Sequence, residues 1–210
     1  MSFYNSVSNT TNASTSLRSQ INTASTSKQR VNDVSCGSIL DFPFEMTTSK
    51  GDTAQTTVKG AGRIFINCQD NQVSGYGLLC ASKYTGFNTK ETFEMEVQEN
   101  YTVKSLATAF SKMQLDGTQY SLIVNKPKNT KAFQSSQTNN FTMKALVINT
   151  STTPFDIVSG TADFGASGVS DGRPVSFKGV ITFLGNHKAD VAFDGKVVSV
   201  DLLTGKTSVK

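Results

Sequence analysis

The stretch "GNHKADVAFDGKVVSV", residues 185–200, decides the fold, and it holds the only histidine of the chain, His187. Gly185-Asn186 and Asp194-Gly195 are tight-hairpin signals, and Asp-Gly in particular favours a type I′ turn. The segments around them alternate apolar and polar residues, the pattern of a half-buried strand. Val175–Leu184, Ala189–Phe193 and Val197–Leu203 therefore read as a three-stranded meander. His187 falls at an exposed turn tip, a structural position and not a catalytic one.

The same period of two extends back to Cys36. In "SILDFPFEMTT", Phe42, Phe44 and Met46 alternate, and Pro43 marks an edge strand or a strand start. "TTVKGAGRIFINC" is a strand in which Gly60 and Gly62 signal a bulge or a close approach. "QDNQ" turns the chain, and "VSGYGLLCASKY" returns antiparallel. "ETFEMEVQ" is the cleanest strand, with Phe93, Met95 and Val97 on one face. Then the period changes once. Val103, Leu106, Ala107, Phe110 and Met113 form one stripe, which predicts a helix over Val103–Met113 capped by Asn100 or Thr102. "YSLIVN", "FTMKALVIN", "DIVSGTADFG" and "PVSFKGVITFL" resume the strands, and "KPKNTKAFQSSQTNN" reads as a polar loop. About ten short strands and one helix predict an all-β domain over residues 36–210, an antiparallel β-barrel or a two-sheet sandwich.

Residues 1–35 form a separate arm, rich in Ser, Thr and Asn. Such a composition buries too little apolar surface to offset its ordering entropy, so the arm is disordered or conditionally helical. Leu17, Ile21, Ala24 and Val31 fall near one helical face and would order against a partner.

The chemistry available is narrow. With one histidine, any Cys-His or Ser-His pair must use His187, and no G-x-S-x-G elbow is present. Cys36, Cys68 and Cys80 lack zinc spacing, so neither a metal nor another cofactor is expected. They read as three thiols in a reducing compartment, with a Cys68–Cys80 bridge as the alternative. Glu94 and Glu96 share one solvated strand face, and Asp163, Asp171, Asp190 and Asp194 lie near turns without EF-hand spacing. The chain has 14 Phe and no Trp, and Phe carries no polar handle, so most of these rings belong to a core rather than to sugar-stacking or interfacial positions. A net charge of +4 permits contact with nucleic acid without demanding it. The residues for such a contact are Lys126, Lys128, Lys131 and the neighbouring Phe133. No apolar run is long enough to span a membrane, and no secretory signal is visible, which points to the cytoplasm or a virion.

A polar arm on an all-β body without a catalytic constellation predicts a non-enzymatic structural subunit that assembles with copies of itself, as in a virion, capsid or tube. The alternatives are a β-barrel holding an apolar small molecule and an OB-like single-stranded nucleic-acid binder.

Overall fold

The computed structural model describes residues 35–128, 134–170 and 172–210. Its strands are β1 (Ile39–Lys50), β2 (Ala54–Gln69), β3 (Gln72–Phe87), β4 (Glu91–Ser105), β5 (Lys112–Pro127), β6 (Ser135–Asn149), β7 (Asp156–Ser170), β8 (Arg173–Gly185), β9 (Lys188–Phe193), β10 (Lys196–Asp201) and β11 (Thr207–Val209). All belong to one antiparallel sheet in the order of the sequence. The all-β class is as expected, but the sheet is neither closed into a barrel nor split into a sandwich. β1 lies at one edge and β11 at the other.

The turns follow their residues. Gln69 pairs with Gln72 and Phe193 with Lys196, leaving two-residue loops. Asp70-Asn71 and Asp194-Gly195 in those loops have positive φ at both positions, the type I′ geometry that suits the right-handed twist of the strands. The turn after β8 is of the same kind, but its central residues are Asn186 and His187, one step beyond the Gly-Asn pair.

The predicted helix is absent. Val103–Ser105 end β4, Lys112 and Met113 begin β5, and only a 3-10 turn at Thr108–Phe110 lies between them. The helical stripe arose by coincidence, because Val103 and Met113 come from two strands of one hairpin and face the same core. Tyr101 and Val103 already continued the period-two pattern of β4. Phe110 does pack on the core, tilted against Tyr76, but from a turn. The expected loop at residues 126–140 is also shorter, because β6 starts at Ser135. Both faces of that part of β6 are polar, so no hydrophobic alternation announced it.

Cross-strand partners share a face, and the register separates two faces of opposite character. One carries Phe42, Val58, Leu78, Tyr101, Leu115, Leu146, Ala162 and Phe183. The other carries Asp41, Arg63, Lys83, Glu94, Lys126, Lys144 and Asp163, which pair with one another across strands. The buried core gathers on the apolar face, near the end that bears the β2–β3, β4–β5, β6–β7 and β8–β9 turns. Towards the other end the same face is open, and Met46, Val175 and Phe177 are exposed.

Gly60 and Gly62 mark a close approach, as their sequence suggested. The rings of Phe44 and Phe42 lie over them from β1, where a Cβ would collide. Gly86 under Phe93 and Gly179 under Phe164 repeat the arrangement. Bare backbone thus leaves room for a large ring where a side chain would stand.

Candidate functional site

His187 is held in place. The Asp156 carboxylate, at the start of β7, accepts hydrogen bonds from the backbone N–H of Asn186 (2.7 Å) and of His187 (2.9 Å). The His187 carbonyl accepts the Leu202 N–H at 2.7 Å. The His187 side chain is only 18% exposed, with Nδ1 3.6 Å from Asp156 Oδ1. The expected exposed tip is therefore a packed one. A carboxylate thirty residues away closes over it, which no local pattern reveals. This Asp-His pair fastens a turn, with both carboxylate oxygens occupied by backbone donors. Asp156→Ala should destabilise the fold by about 1–3 kcal/mol, because two part-buried N–H groups lose their acceptor. Urea denaturation followed by circular dichroism checks this.

Of the lysine loop, the structure describes Lys126 and Lys128. Lys126 Nζ lies 3.5 Å from Glu94 Oε1, and Lys128 Nζ sits 5.1 Å from the centre of the Phe87 ring. Lys131 and Phe133 lie outside the described residues, as do Leu17, Ile21, Ala24, Val31 and Asp171. Glu94 and Glu96 do sit on the solvated polar face, where both contact Lys83. Hydrogen bonding and charge from Lys83, then from Lys126, hold the Glu94 carboxyl below its ordinary range.

The cysteines differ from both expectations. Cys36 and Cys68 form a disulfide with Cα atoms 5.6 Å apart, and Cys80 is free. Cys80 faces the apolar side of β3, opposite Glu99 of β4. Glu99 Oε1 accepts from the Tyr101 hydroxyl (3.1 Å) and from Gln119 Nε2 (3.3 Å), so a short polar strip crosses the apolar face. Burial, reinforced by Glu99, pushes the Tyr101 hydroxyl far above its usual range. The same two causes push the Cys80 thiol up to about 11. At pH 8 only about one Cys80 in a thousand is thiolate, so alkylation by iodoacetamide should be slow and gain tenfold per pH unit up to about pH 11. A rate that levels off near pH 8.5, measured by mass spectrometry, would contradict this. Among the described residues, no three of His, Cys, Asp and Glu gather as a metal site. No described helix is long and apolar enough to cross a membrane.

Two features are left uncovered among the described residues. The first is the outer edge of β1. Ile66 N donates to Ser38 O at 2.9 Å, so even-numbered residues of this strand exchange ladder bonds with β2. Odd-numbered residues, Pro43 among them, point their backbone groups outward. The missing N–H of Pro43 thus falls on the free side, and Pro43 is the edge-strand proline its sequence suggested. Ile39 is 57% exposed and Met46 is 62% exposed along this strand.

The second is a shallow hollow of about 580 Å³ on the polar face, over β2–β5. Ala61 and Ala81, cross-strand partners, are central to it. Arg63, Asp41, Leu79, Gln98, Asn100, Thr118 and Tyr120 surround them. Arg63 grips Asp41 with two hydrogen bonds, Nε to Oδ1 at 2.5 Å and Nη2 to Oδ2 at 2.9 Å. Sequence reasoning missed the hollow, because its residues come from five strands and meet only through the register.

Compared with known proteins, the chain matches no family model, no curated protein and no solved structure.

Proposed function

We propose that this protein is a non-enzymatic structural subunit that assembles with copies of itself, as subunits of a virion, capsid or tube do. The observation that carries the reading is the outer edge of β1, unpaired among the described residues, a twelve-residue strand with Ile39 and Met46 exposed along it. Among the described residues no strand pairs with this outer side, and apart from Pro43 it offers a row of backbone donors and acceptors to another chain. The polar arm of residues 1–35 supports the reading too, since the residues that follow it, Cys36 and Ser38, are tied to β2 beside this edge.

The strand count restricts how copies can meet. With eleven antiparallel strands, β1 and β11 run in the same direction. Antiparallel extension of the sheet therefore joins like edges across a two-fold axis, β1 to β1, whereas joining β1 to β11 requires a parallel ladder. The antiparallel solution needs no other strand.

Sedimentation velocity at matched concentrations tests the reading with three proteins: wild type, Thr47→Pro, and the double variant Leu17→Asp, Ile21→Asp. Thr47 points its N–H outward, so proline removes an edge donor and no β1–β2 ladder bond. Only the 2.9 Å hydroxyl contact with Thr57 is lost within the chain. Wild type should sediment as an assembly. Both variants should fold normally by circular dichroism and sediment as smaller species. A wild-type protein that remains a monomer at all concentrations overturns the reading.

A further inference from the structure

We propose that the hollow over β2–β5 on the polar face is a binding site for a neutral saccharide. This inference does not depend on the assembly reading, because the hollow lies on the strand faces and not on the outer edge of β1.

The chemistry of the lining selects the ligand class. The centre is apolar and low, two alanine methyls between rows of longer side chains. Leu79, 42% exposed, and the Tyr120 ring extend that apolar surface. A sugar ring presents C–H groups on its faces, and these rest well on methyls and on an aromatic ring. The rim offers Gln98 and Asn100 amides and the Thr118 hydroxyl, none of which is engaged by another group among the described residues. Amides and hydroxyls both donate and accept, as each sugar hydroxyl also does. The guanidinium of Arg63 spends two of its five N–H donors on Asp41 and keeps three for a ligand.

Charge argues against the competing classes. Asp41 and Arg63 are each held in the ionised form by their mutual hydrogen bonds, and together they cancel. An anion such as phosphate would meet the Asp41 carboxylate beside the arginine it seeks. A metal ion would find no group of three ligands there. Glu99 contributes to the hollow, but its carboxylate is bonded to Tyr101 and Gln119 on the apolar face. What remains is a neutral, hydrogen-bonding and partly apolar surface, within the size range of small-ligand sites.

Saturation-transfer difference NMR on the full chain tests the proposal, because it reads the ligand's own protons whatever the size of the protein. The probes are maltotriose and N,N′-diacetylchitobiose, with inorganic phosphate as competitor. At least one sugar should show transfer to its ring C–H protons. Ala81→Leu, which fills the hollow from its floor, should reduce that signal at least tenfold, while His187→Ala leaves it unchanged. Silence from both sugars overturns the proposal, and so does a signal that survives Ala81→Leu. Competition by phosphate would make the hollow an anion site and overturn the assignment of a neutral ligand.

Discussion

Leu146→Ala should lower the free energy of unfolding by about 3–5 kcal/mol, in the upper part of the range for leucine truncation. Leu146 is 0% exposed and sits opposite Leu115 in the core cluster. Truncation removes the transfer energy of three carbons and leaves a cavity as well, and the cost depends on how far the surroundings can collapse. Here the backbone resists collapse. The register slips just before Leu146, Ala145 has a positive φ, and Asp116 Oδ1 holds the Ala145 N–H at 2.7 Å. Urea denaturation by circular dichroism should show a lower midpoint with the slope unchanged. Leu79→Ala on the polar face is the control and should fall within about 0.5 kcal/mol of wild type. A loss below about 1 kcal/mol at Leu146 would show that the site repacks.

Cutting the Cys36–Cys68 bond is the second large effect expected. The cysteines are 32 residues apart, and a crosslink closing a loop of that size stabilises by roughly 3.5 kcal/mol through the unfolded chain. The native arrangement does not require the bond, because Gly37 N donates to Ile66 O at 3.2 Å and Ser38 accepts from Ile66 N. Cys36→Ser should therefore fold, with a stability lower by up to this amount. Reduction of the wild type should have the same effect, and adding reductant to the variant should change nothing. Equal stabilities of oxidised and reduced wild type would show that the bond contributes nothing to the fold. Such bonds persist in oxidising surroundings, which sets this pair against the three thiols expected from the sequence.

Local chemistry was legible. Asp-Gly and Asp-Asn produced the turns they favour, Pro43 lies on an edge, and Gly60 and Gly62 receive rings. What failed was long-range. The Val103–Met113 stripe imitated a helix because two strands of one hairpin supply its ends. A disulfide's partners cannot be read from spacing, so Cys68 joined Cys36 and not Cys80. The burial of His187 depends on Asp156. In the hollow, Ala61, Ala81, Gln98 and Tyr120 occupy one row across four strands, and nothing local in their sequence joins them.

The meander order bears on how the chain acquires its structure. Extensive contact between strands occurs only between neighbours in sequence. Each new strand needs to close only one short connection, so the entropy lost at each step is small and does not grow with the length already folded. Sheets of this size are usually slow to form when distant segments must find each other. Here formation can start at any central hairpin and spread in both directions, in the manner of a repeat array. Amide exchange should accordingly be slowest in β5 and β6, which hold Leu115 and Leu146, and quicken towards β1 and β11 as each added strand has one neighbour fewer to hold it.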